Sequence, residues 1–464
     1  MESRSMTSTA YTRALGARLL SEANDIKRTP ESLAKEMELP LSHIQAAIAG
    51  QLEPTEYQAL FHAVCQRYPV AFGRLWMDPT DTDAGILHMT AAESRATSRV
   101  FARPDRTGQS TPYYEYRDTA FSRTAPFRPE WIRQIRVVQD SDPMNPDVAY
   151  NKGHLLHQTT LFIGPVNFYW EVGGKRYAME MNTGDSNYIT PFWPHTFASR
   201  DKSQPTFIIA FTYGGEVARA REELARIGVG ALSGLTLELR RETAAYADLL
   251  RRHLAHETWT EEHFAEVCVK RQMDPVRIAA FLGGRVMPTA GEIGMMADVL
   301  CIMPRDLMPP TRVQEDEVVT LRRSQADVYA YPGVANPCYQ ITRLARARQQ
   351  PYLKSFLIRV LPKRKSSDFR VGLHQYLYNH GETEVRLIAR SDADATERVV
   401  LLAPGDSAYV APMTVCRFET DGPRDGELYL VRVPGDLHPD ALFELSGMAP
   451  VGITRAANEM TSWF

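Results

Sequence analysis

Two textures alternate along the chain. In the first, apolar residues recur at helical spacing between start and stop signals. Thr29-Pro30-Glu31 reads as an N-cap, a proline at the first helical position and an acidic first turn, opening a helix over Ser32 to Glu38. After a turn at Leu39-Pro40, a second helix runs from about Leu41 to Ala49 and stops at Gly50. Thr260 to Val269, then Asp274 to Leu282, then Gly283-Gly284 repeat that plan. Short helices joined by tight turns predict a helix-turn-helix-like unit. In the second texture, over about 97–215 and again 318–434, short strand-like runs are separated by turn residues. Ile135 to Val138, Thr159 to Ile163, Phe168 to Val172 and Phe207 to Thr212 are such runs, with turns at Gly173-Gly174 and Thr183-Gly184-Asp185. Ser355 to Leu361, Val399 to Leu402, Ser407 to Val410 and Leu428 to Val433 are their later counterparts. Many short strands with turn signals predict a sandwich or barrel.

The chain also repeats itself. The stretch from Gly184 to Pro191 (GDSNYITP) returns as Gly405 to Pro412 (GDSAYVAP), and Phe197 and Phe418 keep the same register beyond it. Ile44 to Thr55 (IQAAIAGQLEPT) returns as Ile278 to Thr289 (IAAFLGGRVMPT). Matched order of two echoes predicts duplication of one module. The expected fold class is α+β: a tandem repeat of a helix-turn-helix-like α domain plus a cupin (jelly-roll) β-barrel. The expected divisions are a helical domain at 1–80, a first cupin at 81–230, a second helical domain at 231–315 and a second cupin at 316–464.

Composition narrows the function classes. A chain of 464 residues with 44% hydrophobic and 23% charged residues reads as ordinary soluble globular protein of several domains. The net charge of −3 gives no electrostatic reason to expect nucleic acid or an anionic membrane as partner. No apolar run approaches the length of a membrane span, and Met1 to Ala17 lacks a signal-peptide core, so a cytoplasmic location is expected. Cys65, Cys268, Cys301, Cys338 and Cys416 are scattered, which argues against a disulfide framework or a thiolate metal site.

Candidate chemistry lies in the first β-unit, where Asn151-Lys152-Gly153-His154 is followed by His157-Gln158 and later by Pro194-His195. On a strand His154 and Gln158, four apart, share a face, while His157 points the other way. That parity selects His154, Gln158 and His195 as an inward set. Two histidines and one oxygen donor make a three-point face for a metal with open positions for substrate and oxygen. The second unit carries Cys416 at the register of His195, and His374-Gln375 without the preceding asparagine and glycine. Its cupin therefore reads as degenerate, leaving one metal site per chain.

At N-x-G-H (Asn151 to His154) and GDS…P-H (Gly184 to His195) the sequence resembles the 2-hydroxyethylphosphonate dioxygenase and hydroxypropylphosphonate epoxidase family of non-haem iron cupin oxygenases. The resemblance spans nearly the whole chain. It implies Fe(II) held by His154, Gln158 and His195, with a small phosphonate and O2 as partners and no 2-oxoglutarate. The family's dioxygenase has a ligating glutamate where this chain has Ile189, and the epoxidase has one where it has Gln158. The glutamine resembles the methylphosphonate-forming members. That implies oxidative C–C cleavage of 2-hydroxyethylphosphonate to methylphosphonate and CO2 or bicarbonate; the alternative is hydroxymethylphosphonate and formate. The same resemblance makes Lys27, Arg106, Tyr116 and Asn151 phosphonate-binding residues, with Arg103 a rival to Arg106. Ala210 stands where the family pattern has a phosphonate-contacting serine. A homo-oligomer is expected. The different-class alternative, a helix-turn-helix/cupin transcription regulator, meets an obstacle: Leu41 to Ala49 has no lysine or arginine, and residues 1–75 carry eight basic and eight acidic side chains.

Overall fold

The computed structural model describes residues 8–310, 317–362, 366–391 and 394–458. The helix signals are realised as read. Thr29 caps Pro30–Glu36, its Oγ1 accepting from Ser32 N at 3.2 Å, and Leu41–Ile48 follows. Thr260 caps Glu261–Lys270 and Asp274 caps Pro275–Leu282. Each pair packs with longer helices: Ser8–Asp25 and Pro54–Arg67 in the first unit, Glu242–His256 and Ala290–Leu300 in the second. Leu15, Leu33, Ile44, Tyr57 and Phe61 form the first helical core, and Tyr246, Leu250, Phe264, Ile278 and Met296 the second.

The β-segments form two antiparallel seven-stranded sheets, each with a three-stranded companion. The sheets are open rather than closed into barrels. The first large sheet runs Val318–Leu321, Ser186–Ile189, His157–Ile163, Phe207–Tyr213, Phe127–Gln134, Ser110–Asp118, Arg99–Pro104. Its companion is Lys175–Met181, Val166–Val172, His195–Ser199. Phe162, Ile208 and Ile189 from one sheet meet Val166, Phe168 and Phe197 from the other in a dry core. The second large sheet runs Ile86–Met89, Ser407–Val410, His374–Asn379, Gly426–Val433, Lys354–Val360, Tyr339–Arg343, Val328–Tyr331.

The outermost strand of each large sheet comes from the segment preceding the other unit. Ile86–Met89 pairs with Ser407–Val410, and Val318–Leu321 pairs with Ser186–Ile189. The recurring GDS stretch fastens this exchange. Asp185 Oδ1 accepts from Arg323 N at 2.8 Å, and Asp406 Oδ1 from Ala91 N at 2.7 Å. Ser186 Oγ accepts from Ala345 N and Ser407 Oγ from Ala120 N. Gly184 lies at φ +88°, and a Cβ there would stand 2.5 Å from Arg323 Cδ. The two large sheets press together through Leu161, Tyr188 and Phe211 against Tyr376, Tyr409 and Tyr429.

Two further expectations change. Ile135 to Val138 is not a strand: the strand ends at Gln134, and Ile135 N and Arg136 N both donate to Tyr113 O. A ladder gives each N–H its own carbonyl, so two donors on one acceptor mark a bend. His154 likewise precedes its strand, which begins at His157. The boundary drawn at 230/231 lies within the helix Val229–Leu235. The division at 315/316 and residues 1–7 of the amino-terminal reading lie outside the described residues. Among the described residues, no helix is long and apolar enough to cross a membrane.

Candidate active site in the first sheet pair

His195 opens its strand in the small sheet, and Gln158 is the second residue of a central strand in the large one. His154 arrives on the irregular segment before that strand. Its position depends on Gly153, whose φ is +73° and whose Cβ would lie 2.5 Å from the Phe192 backbone. Only glycine meets both demands. Phe192 N in turn donates to His154 O at 2.9 Å.

Asn151 joins the two histidine segments. Its Oδ1 accepts from Gly153 N and from His195 N, each at 2.9 Å, while its Nδ2 stands 3.3 Å from His195 Nε2. The His154 and His195 rings meet edge-on with centroids 5.1 Å apart. His154 Nε2 is 3.3 Å from Gln158 Oε1. That oxygen faces His154 because the Gln158 amide nitrogen donates to Thr160 Oγ1 at 3.0 Å.

These groups line one cavity of about 280 Å³, together with Arg103, Tyr114, Tyr116, Arg128, Glu130 and Thr212. His195 is 3% exposed, and burial pushes its pKa down to about 4, so the imidazole is neutral at neutral pH. Its Nδ1 faces the Trp193 carbonyl at 2.9 Å, which fixes the proton there and leaves the Nε2 lone pair for the cavity. His154 Nδ1 is buried without a hydrogen-bond partner. Two imidazoles, that of His195 neutral, and an oriented amide oxygen suit a divalent transition metal, which takes nitrogen and oxygen donors of this kind. Among the described residues no three His, Cys, Asp or Glu side chains cluster as a metal site; the Gln158 amide oxygen stands 3.3 Å from His154 Nε2.

The residues expected to bind a phosphonate are only partly brought together. Asn151 and Tyr116 line the cavity. The Tyr116 hydroxyl is pushed up to about 12, chiefly by burial, and so stays a proton donor. Of the two arginines, Arg103 lines the cavity. Its guanidinium lies over the Tyr113 and Tyr114 rings at 5.2 and 5.1 Å and donates to Ala149 O. Arg106 points elsewhere, 62% exposed and paired with Asp147. Lys27 sits exposed in a left-handed turn with Nζ on Asn24 O, outside the cavity lining. Ala210 is a wall residue.

His157 turns to the opposite side, as parity required. Its Nδ1 is 2.7 Å from Tyr188 OH, and burial pushes its pKa down to about 4. In the second large sheet His374 is 2.7 Å from Tyr409 OH and also falls to about 4. Sequence reasoning missed Thr160, Arg128, Glu130 and Thr212. Thr160 was accessible, being two residues beyond Gln158 on the same strand face. Thr212 is placed opposite Gln158 only by the strand register.

No family model matches the chain. It is 35% identical over 453 residues to methylphosphonate synthase of Nitrosopumilus maritimus (strain SCM1), covering 97% of this chain and 95% of that protein. It is also similar to the solved Streptomyces albus 2-hydroxyethylphosphonate dioxygenase with 2-hydroxyethylphosphonate and Fe(II) bound. That match has a TM-score of 0.88 and 34% identity, covering 98% of this chain and 99% of the other. A further 2-hydroxyethylphosphonate dioxygenase structure shares the fold, at a TM-score of 0.76 and 19% identity over 95% of this chain and 99% of the other. Identity at that level along nearly the full length means that the chain belongs to the family of methylphosphonate synthase and 2-hydroxyethylphosphonate dioxygenase.

Proposed function

We propose that the protein converts 2-hydroxyethylphosphonate oxidatively to methylphosphonate, with the carbinol carbon leaving as CO2 or bicarbonate. The observation that carries this is the convergence of His154, Gln158 and His195 with Arg103, Tyr116 and Asn151 on one cavity. His154, Gln158 and His195 hold the metal, iron(II) as in the Streptomyces albus relative. When bound, that iron supplies the O2-dependent oxidation chemistry. The substrate provides all four electrons that reduce one O2, so no 2-oxoglutarate is consumed.

The chain's own residues bind and orient. Arg103 meets the phosphonate with a guanidinium fork matched to two oxygens. Tyr116 and the Asn151 amide nitrogen donate to the remaining oxygen. Arg128 adds positive charge to the wall, and Thr160 keeps the Gln158 carbonyl turned to the metal position. A neutral amide in place of a carboxylate removes one negative charge beside the metal. We connect that difference with methylphosphonate rather than hydroxymethylphosphonate as product.

The fold reading goes with this. The second sheet pair is a degenerate copy of the first: Gln375 faces Arg432 across the sheet as Gln158 faces Thr212, and Cys416 stands in the register of His195. The four divisions of the chain follow that duplication, with the first β-unit closing near Tyr213. A homo-oligomer and a phosphonate contact by Lys27 of the helical unit are further parts of this reading.

Anaerobic iron(II) reconstitution, addition of 2-hydroxyethylphosphonate and oxygen, and phosphorus NMR of the product test the proposal. A methylphosphonate resonance is expected. Hydroxymethylphosphonate with formate would assign the dioxygenase outcome instead, and absence of turnover with iron bound would reject this substrate.

A further inference from the structure

The second sheet pair has a cavity of its own, about 200 Å³, with no part in the reaction above. Tyr329, Tyr331, Phe356 and Phe369 wall it with aromatic rings, and Arg432 supplies a guanidinium. Arg432 Nε donates to Gln375 Oε1 at 2.9 Å. Its Nη2 is buried without a hydrogen-bond partner. The guanidinium carbon lies 5.3 Å from the Phe369 ring centre and 5.9 Å from that of Phe356.

No aspartate or glutamate among the described residues lines this cavity. The groups that act electrostatically on Arg432 are Cys416, Tyr329 and Tyr331, and no carboxylate is among them. A second guanidinium, that of Arg346, lies 4.9 Å from the Phe356 ring with Nε and Nη2 buried and unpartnered, and the carboxylate that acts on it, Asp327, is paired with Arg343. Burying a cation is costly unless an anion or a full set of hydrogen bonds accompanies it. Two such cations about one phenyl ring, next to an open aromatic cavity, leave a positive charge that a ligand can neutralise.

We infer that this cavity binds a small organic oxyanion, a carboxylate or phosphonate on a chain of a few carbons, with its charged end on Arg432 and its apolar end against Phe356, Phe369 and Tyr331. The size of the cavity limits the chain, and the ring faces exclude a strongly hydrated ion without an apolar part. The Arg432 fork keeps a free donor for an oxyanion even while its Nε stays on Gln375. The inference stands apart from the identity of the substrate in the first sheet pair, because none of its residues line that cavity.

Anaerobic calorimetric titration of the full-length, iron-loaded protein with acetate, and separately with methylphosphonate, tests it. The Arg103→Met variant weakens phosphonate binding in the first cavity and serves as the parent. Binding in that parent is expected to weaken by roughly tenfold or more in Arg103→Met/Arg432→Met, the scale of one charge-assisted ion pair. Arg432→Lys restores part of it. Leu430 also lines the cavity; Leu430→Phe fills it without altering charge and removes binding too, which keeps the test decisive where Arg432→Met fails to fold. Acetate heat alone assigns a carboxylate site, and methylphosphonate heat a phosphonate site. Heats unchanged by both Arg432→Met and Leu430→Phe, or no heat from either ligand, overturn the inference.

Discussion

Thr160 decides which end of the Gln158 amide faces the cavity histidine: its hydroxyl oxygen accepts from Gln158 Nε2 at 3.0 Å, turning Oε1 toward His154 Nε2. Both side chains are buried, so no solvent takes the place of this bond. Thr160→Val keeps the shape and removes the acceptor. Iron(II) affinity is expected to fall about 10- to 100-fold, the usual consequence of losing an orienting partner behind a ligand. Thr160→Ser restores it. Anaerobic iron titration checks both, and unchanged affinity in Thr160→Val would show that Gln158 is held by other means.

Gly153 carries the loop that delivers His154. Gly153→Ala places a methyl group against the Phe192 carbonyl at a positive φ. A loss of about 1 to 3 kcal/mol in urea unfolding is expected, with iron binding reduced more than global stability because the strain falls on the histidine segment.

Arg103 and Arg106 separate two kinds of cation three residues apart. Arg103→Met should raise KM for 2-hydroxyethylphosphonate by about 10- to 100-fold, the scale of a bidentate charged pair. Arg106→Met should change KM by less than about twofold, since its partner is the surface carboxylate of Asp147. Steady-state kinetics of the two variants distinguish them, and the reverse order would return the phosphonate to Arg106.

His157 and His374 tie stability to pH. Burial holds each near 4, below the ordinary value of 6.5, so the folded state takes up a proton less readily than the unfolded chain. Their contribution is complete above about pH 6.5 and is lost as pH falls from there through 4. Urea unfolding at pH 7 and pH 5 is expected to show a decline of about 1 to 3 kcal/mol per histidine. His157→Gln/His374→Gln should reduce it by their share. His195 and His380, also near 4, add slopes of the same kind that remain.

Local chemistry fixed much of this protein in advance. Thr29, Thr260 and Asp274 announce helix starts because a cap bonds a backbone N–H two or three residues away, which sequence spacing records directly. The parity that separates Gln158 from His157 is likewise a property of one strand. The repeated GDS stretch was visible as a repeat, but its use was not. Asp185 and Asp406 hold backbone 138 and 315 positions away, and only the exchange of outer strands makes that contact. That Arg103 and not Arg106 lines the cavity was equally hidden, because both lie in the same short hairpin and only the packed sheet turns one of them inward. Thr212 entered the cavity through a cross-strand register, and Arg432 through its counterpart in the other sheet. Short-range hydrogen bonding and periodicity are written along the chain. Which distant residues meet is set by how the sheets pack, since burying their apolar faces fixes register and exchange together.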